Sequence, residues 1–276
     1  MRLFNKVVII GTGLIGGSLA LAMKKRGLTK RIIGMGRHRK NLLLAKKIGA
    51  IDFISQDFSL VRDADLVVLA TPVRKIIELG LKISPYLNAG CIVIDVGSTK
   101  GQIVKSLEKT IPCFVGSHPL SGSEKRSVIY ANPDMFQNSL CILTPTPKTN
   151  LDAFKKIKQL WEKVGAKVVT ITPSMHDKIL AFTSHLPHIL SFSLICTVPE
   201  AYFQFSSGGL RDTTRVASSD SELWTDIFLS NARNAISAIV KFQKKLSALT
   251  MAIRKKDRQR LSILLKKAKT KRDKLV

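Results

Sequence analysis

Val7-Val8-Ile9-Ile10-Gly11-Thr12-Gly13-Leu14-Ile15-Gly16-Gly17-Ser18 runs from an apolar block through a glycine turn into a helix-like segment. Four β-favouring apolar residues in succession suit a parallel strand covered on both faces. The glycines stand at G-x-G-x-x-G spacing, and each has a mechanical use. Gly11 permits a tight turn, Gly13 lets a pyrophosphate approach the backbone, and Gly16 lets the helix pack closely on the strand. The helix start would present unpaired N–H groups and partial positive charge to the phosphates. The spacing alone is weak. With a strand before it and the apolar stretch 19–23 after it, it predicts a dinucleotide site built on Gly11, Gly13, Leu14, Ile15 and Gly16.

Outward from this turn the chain alternates. Residues 31–35 read as a second strand, followed by Gly36-Arg37-His38-Arg39-Lys40, and the first carboxylate of the chain is Asp52. An acid at that strand end would take the ribose hydroxyls of NAD, whereas arginine suits the 2′-phosphate of NADP. Arg37, His38 and Arg39 therefore predict a preference for NADP, with NAD as the alternative. Further strands are expected at 66–70, ending on Thr71-Pro72, at 91–96, ending on Gly97-Ser98-Thr99-Lys100, and at 112–116, leading into Ser117-His118-Pro119. Segments 140–143 and 166–171 complete the series, with helices between. Such alternation predicts an α/β fold, an N-terminal Rossmann doubly wound parallel sheet over 1–171. Ligands then bind beyond the strands' carboxyl ends, where Thr71, Pro72, Ser98 and His118 would line one crevice. From Pro173 the pattern becomes helical (175–185, 188–205, 221–251 and 256–271), which predicts a C-terminal all-helical domain over 172–276.

The chain has 276 residues, 45% of them hydrophobic, which places it among globular proteins. Lys+Arg 45 against Asp+Glu 19 gives a formal charge of +26, which raises nucleic acid or an anionic membrane as a partner. The basic residues are spread along the chain without an aromatic-interleaved strip. They read as a solvated surface that also favours anionic ligands, so neither nucleic acid nor membrane is expected as partner. Cys91, Cys113, Cys141 and Cys196 fall singly in apolar stretches, as reduced, buried thiols of a cytoplasmic protein would. The N-terminal apolar run imitates a signal peptide, but its glycines follow the dinucleotide spacing. No other segment reads as long and apolar enough to span a bilayer.

Histidine is scarce, so its positions carry weight. His118 beside a strand end is placed to take a proton while hydride leaves the same carbon, and Ser98 is placed to orient the ring. Ser184-His185-Leu186-Pro187-His188 sets two histidines three apart. A metal site there would need further ligands, and only His176 is near, so no metal is expected. His185 reads as a helix start and His188 as a ligand contact. Gly208-Gly209-Leu210-Arg211-Asp212-Thr213-Thr214-Arg215 reads as a segment between helices, in which an arginine held by Asp212 would grip a carboxylate. An internal salt bridge at a domain joint is the alternative.

The glycine turn, Asp95-Val96-Gly97-Ser98-Thr99-Lys100, Gly116-Ser117-His118-Pro119-Leu120-Ser121-Gly122-Ser123-Glu124-Lys125, Ser184 to His188 and Leu210 to Arg215 occur in that order. Together they resemble the prephenate/arogenate dehydrogenase family of tyrosine biosynthesis over nearly the whole chain. The resemblance implies a Rossmann domain joined to a helical domain that forms a homodimer. It also implies oxidative decarboxylation of prephenate or arogenate, with hydride passing to NAD(P). His118 would accept the hydroxyl proton, Ser98 would fix its tautomer, and Arg215 would hold the ring carboxylate. His188 would lie near nicotinamide and substrate, and Ser123, Glu124 and Asp212 would shape or gate the pocket.

Two departures stand out. The family's NAD-using members usually carry Asp where this chain has Gly36, so the stretch is closer to the NADP-using arogenate enzymes. The chain also stops at Val276, so neither an ACT-type regulatory domain nor a fused chorismate mutase is expected. Two rivals are a β-hydroxyacid dehydrogenase, which would use a helical-domain lysine as base, and a non-enzymatic NADP-binding regulator.

Overall fold

The computed structural model describes residues 2–121 and 127–275. Its sheet has eight strands: β1 (Phe4–Ile10), β2 (Thr29–Met35), β3 (Phe53–Ser55), β4 (Leu66–Leu69), β5 (Ile92–Asp95), β6 (Phe114–Pro119), β7 (Leu140–Leu143) and β8 (Lys167–Thr170). The order is β3-β2-β1-β4-β5-β6-β7-β8, so the winding reverses between β1 and β4. That reversal opens a crevice at the carboxyl ends of the two strands. All neighbours are parallel except β6 and β7, which run antiparallel.

β1 shows why its sequence is apolar without a break. Val7 and Ile9 enter one core cluster with Leu19, Met23 and Trp161, while Val8 and Ile10 enter the opposite one with Ile76, Leu107 and Trp224. Both faces are buried, as a central parallel strand requires. Helices α1 (Leu14–Lys25), α2 (Arg39–Lys47), α3 (Val73–Ile83), α4 (Gly101–Leu107) and α5 (Leu151–Lys163) connect the strands. Local chemistry starts them where expected. The Asn150 side chain accepts from Ala153 N at 2.9 Å to cap α5, whose Ala153, Ile157, Leu160 and Trp161 form one buried stripe.

Three sequence expectations change. The three-residue edge strand β3 was not anticipated, because so short an element carries no readable alternation. His118 lies inside β6 and not after it: the first half of β6 pairs with β5 as far as Asp95↔Gly116, and the second half pairs with β7, setting His118 opposite Ile142. The thiols also differ, since Cys91 and Cys141 are buried, Cys113 is half-buried and Cys196 is exposed.

Beyond β8 come α6 (Pro173–Leu180), a π-type turn over Ala181–His185, α7 (Leu186–Thr197), α8 (Gly208–Thr214) and α9 (Ser221–Ser230). Thr172 caps α6 by accepting from Met175 N at 3.2 Å, and Pro173 occupies its first turn, where no N–H is needed. Because the π turn carries the helix through His185 and Pro187, two expected segments fuse. The resulting helical run Pro173–Thr197 has 25 residues and is long and apolar enough to cross a membrane by length and composition, contrary to the sequence reading. The stretch 208–214 is itself helical, not a connector. The compact unit carrying the sheet extends to Asn231.

A second compact unit, Ala232–Val276, holds α10 (Ala232–Arg254) and α11 (Arg258–Arg272). Lys256 turns the chain between them at φ 52°, and Asp257 caps α11 by accepting from Arg260 N at 2.8 Å.

Candidate active site

Gly11 has φ +102°, and a Cβ there would lie 2.4 Å from the Ala70 carbonyl oxygen. A Cβ on Gly16 would lie 2.2 Å from the Gly11 carbonyl oxygen. The turn therefore closes only with glycine at both positions, leaving its backbone bare at the β1/β4 crevice. Gly13 starts α1 without a side-chain cap, and no acid stands in the first turn, so the helix end is left to an outside anion. Thr71, just past β4, keeps a buried Oγ1 with no hydrogen-bond partner among the described residues. A buried hydroxyl normally has one, so turn, helix end and Thr71 together fit a dinucleotide phosphate. Pro72 begins α3 beside it.

At the end of β2, Arg37, His38, Arg39 and Lys40 are exposed, and Arg37 Nε donates to His38 Nε2 at 3.3 Å. A cavity of about 260 Å³ lies there, lined by Arg39, Leu42, Leu43, Ile54, Ser55 and Gln56. Gly36 is half-buried with room for a side chain, since the nearest atoms to a Cβ would be Leu42 Cδ2 at 3.7 Å and Cγ at 3.9 Å.

The carboxyl end of β5 is tied down by a fully buried ion pair between Asp95 and Lys100. Asp95 also accepts from Gly97 N at 2.9 Å and Ser117 N at 3.3 Å, and its carbonyl accepts from Ser117 Oγ at 2.5 Å. Burial pushes the Asp95 carboxyl up and the Lys100 ammonium down, against the mutual attraction that favours both charges. The pair thereby anchors β6 one residue before His118.

His118 is buried, and its Nδ1 lies 2.9 Å from His176 Nε2. The ring partner is thus His176 on α6, whereas the sequence reading gave that role to Ser98, which sits half-buried on the loop after β5. His176 Nδ1 lies 2.8 Å from Asp177 Oδ1. Asp177 accepts in turn from Lys100 N and Gly101 N, both at 2.8 Å, at the start of α4. Burial holds His118 well below the usual histidine range, and the neighbouring His176, Lys100 and His185 push the same way. Burial also lowers His176, with Asp177 partly offsetting it. For Asp177, burial raises the carboxyl, but the bonds from His176, Lys100 N and Gly101 N outweigh it and hold it below the usual range.

Two more histidines follow, His185 at the end of the π turn and His188 in the first turn of α7. His185 is buried; its Nδ1 receives Asn231 Nδ2 at 3.2 Å while Asn231 also donates to the Asp177 carbonyl at 2.8 Å. Burial pulls His185 down to about 4. His188 Nδ1 donates to the Ser184 carbonyl at 2.9 Å, and its ring stacks on Trp224 with centroids 3.5 Å apart. Burial lowers His188, the Ser184 bond opposes this, and the nearby Arg215 guanidinium lowers it further. Electrostatic neighbours therefore run from His118 through His185 and His188 to Arg215, which is exposed just after α8.

Asp212 is exposed on α8, as is Arg211. Ser123 and Glu124 lie outside the described residues. Sequence reasoning missed His176 as the ring partner, Asp177, Asn231 and Trp224. The available signals were His176-Asp177 adjacency in a chain with five histidines and one of only two tryptophans.

A doubly wound sheet with a bare glycine turn, joined by helices that bring buried neutral histidines to its carboxyl edge, defines a Rossmann-type oxidoreductase. A family model described as the nucleotide-binding domain of prephenate dehydrogenase matches residues 19–170, and one described as its dimerization domain matches 172–267. The chain belongs to the prephenate dehydrogenase family. The prephenate dehydrogenase of Bacillus subtilis is 34% identical over 280 residues, covering 98% of this chain and 76% of that protein. The cyclohexadienyl dehydrogenase of Zymomonas mobilis is 34% identical, covering 93% and 91%. Among solved structures, prephenate dehydrogenase from Aquifex aeolicus in complex with hydroxyphenyl propionate and NAD+ superposes with a TM-score of 0.94 at 36% identity, covering 99% of this chain and 98% of that one. Arogenate dehydrogenase from Synechocystis gives 0.86 at 31% identity, covering 98% and 100%.

Proposed function

We propose that this enzyme oxidatively decarboxylates prephenate or arogenate in tyrosine biosynthesis, with NADP preferred over NAD. The bound nicotinamide supplies the hydride acceptor. The observation that carries the reading is a buried, neutral His118 at the carboxyl edge of the sheet, with one ring nitrogen held by His176 and the other left for a substrate hydroxyl. His118 takes the hydroxyl proton as the carbon bearing it loses hydride. The carbon–carboxylate bond then breaks, its electron pair enters the ring, carbon dioxide leaves, and the proton returns to the phenolic oxygen. Aromatisation drives the step, so the chain's task is to hold the reactants in register and exclude water.

Arg215 is assigned to the ring carboxylate, since its guanidinium stands beside His188. His188, with its Nδ1 committed to Ser184, offers Nε2 to the reactants, and Trp224 keeps that ring flat against the site wall. Ser98 is assigned to contacting the reactants at the neighbouring strand end. Ser123, Glu124 and Asp212 are assigned to the rim of the pocket on family resemblance. Gly11, Gly13, Leu14, Ile15, Gly16, Thr71 and Pro72 are assigned to the pyrophosphate side of the cofactor. Arg37, His38 and Arg39, beside the cavity at the β2 end and with no acid at Gly36, are assigned to a 2′-phosphate.

We take residues 1–171 as the dinucleotide-binding part and 172–276 as the part that shapes the substrate site and forms a cytoplasmic homodimer. Within Ala232–Val276, exposed Ile236, Leu246, Met251, Ile253, Ile263 and Leu265 supply apolar surface suited to a second copy. The deciding assay crosses prephenate and arogenate with NADP+ and NAD+, following reduced nicotinamide and carbon dioxide together. Turnover greatest with NADP+ supports the reading, and no turnover of either substrate overturns it.

A further inference from the structure

The bonds around Asp177 fix more than its position. Its carboxylate faces three donors: Lys100 N and Gly101 N, which can only donate, and His176 Nδ1. A carboxylate held below its usual range is an acceptor at every oxygen, so His176 Nδ1 must carry a hydrogen. His176 is neutral, so its Nε2 is a lone pair. The 2.9 Å contact from His176 Nε2 to His118 Nδ1 is then a hydrogen bond only if His118 Nδ1 is protonated. A neutral His118 with that hydrogen has a bare Nε2. Each assignment forces the next, starting from two backbone amides of α4.

We propose that Asp177, acting through His176, is the positioning residue that sets the tautomer of His118 and so leaves its Nε2 lone pair open to the substrate hydroxyl. The proposal rests on His118 being the base, and it adds what makes that ring a base and not a donor. The fold is arranged for it. Gly101 leaves the space, since a Cβ there would lie 2.8 Å from Asp177 Oδ2. The α4 start also contributes the positive end of a helix to the carboxylate. When His118 takes the hydroxyl proton, the new N–H forms at Nε2. The positive charge is then met through the Nδ1–H bond to His176 and beyond it by Asp177. The remaining charged or titratable groups around the pair are Lys100 and Asp95, paired with each other, His185 from the π turn and Cys141 from β7. None of them is hydrogen-bonded to either ring among the described residues.

Asp177→Ala separates positioning from mere support. Lys100 N and His176 Nδ1 share Asp177 Oδ1, and Gly101 N takes Oδ2, so alanine removes the acceptor that fixes the His176 hydrogen at Nδ1. His176 then also carries its hydrogen at Nε2 and donates to His118 Nδ1, which moves the His118 hydrogen to Nε2 and closes the base in that population. In a Ser-His-Asp triad, removing the acid alone costs on the order of 10⁴-fold in kcat.

The experiment is long-range proton–nitrogen NMR on ¹⁵N-histidine-labelled enzyme at neutral pH, with His118 assigned by its loss in His118→Asn. The expected wild-type pattern is His118 protonated at Nδ1 and bare at Nε2, with His118 protonated at Nε2 emerging in Asp177→Ala. The variant's kcat should fall on the order of 10²–10⁴-fold, with cofactor Kd and substrate KM moving less than about threefold. A wild-type His118 protonated at Nε2 overturns the proposal, and this measurement stands even if Asp177→Ala fails to fold. A folded Asp177→Ala enzyme with wild-type kcat also overturns it. Should His118→Asn itself keep full activity, the base assignment fails, while the tautomer spectra still report on Asp177.

Discussion

Gly36→Asp tests the cofactor argument where the structure gives the most to work with. The position is half-buried, a Cβ there would first meet Leu42 at 3.7 Å, and its φ is not in the left-handed region. The new side chain therefore fits without strain, and thermal stability should hold within a degree or two, about 0.5 kcal/mol. A carboxylate placed about 4 Å from one net phosphate charge at an effective dielectric near 20 repels it by roughly 4 kcal/mol. Arg37 and Arg39 remain, and solvent reaches the exposed rim, so about 2–3 kcal/mol is the usable part. The same carboxylate gains hydrogen bonds to the ribose hydroxyls of NAD, about 1 kcal/mol. The ratio of kcat/KM for NADP+ over NAD+ should thus fall on the order of 10²–10³-fold. Initial rates with each nicotinamide at fixed substrate measure it. An unchanged ratio in a folded variant would refute the assignment of this strand end to a 2′-phosphate.

Two further expectations follow from the helical half of the site. Arg215→Gln should raise substrate KM about 10- to 100-fold, the worth of a charge-assisted bidentate contact, with kcat little changed. A wild-type KM would remove the carboxylate clamp. His185 is buried with its pKa drawn down to about 4, so the unfolded chain binds its proton more readily than the folded one. That stability is fully present above pH ~6.5 and is lost as pH falls toward 4, in total about 3 kcal/mol from this group. Denaturant unfolding at stepped pH should show the decline, and His185→Gln should flatten it. An equal slope in the variant would assign the loss to other groups.

Much of this is legible in the sequence. The unbroken apolar run of β1 announced burial on both faces, and the glycine spacing announced the turn, because both are local consequences of backbone geometry. What the sequence hid was either short or non-local. β3 is too brief to show alternation, and 208–214 carries glycines that mask a helix. His118 was read past a strand end because β6 continues by changing partner, from parallel β5 to antiparallel β7, and pairing partners leave no mark in a one-dimensional pattern. The fusion of α6 with α7 depends on a π turn that absorbs Pro187, where the usual reading is a break. The His118–His176–Asp177 chain spans β6, α6 and the start of α4. His118 meets the adjacent pair His176-Asp177, and that pair meets Lys100 and Gly101, only because the strand order and the α6 cap bring these distant segments together. Ser98 was the obvious partner on a neighbouring strand end; α6 packing over α4 supplied a closer one.

The central claim, that His118 is the base at a sheet-edge hydride-transfer site, is tested most directly by the turnover of His118→Asn beside its cofactor affinity. The account predicts a kcat lower by about 10²–10⁴-fold with nicotinamide dinucleotide binding within a few-fold of wild type. A folded variant that turns over within a few-fold of wild type would contradict it.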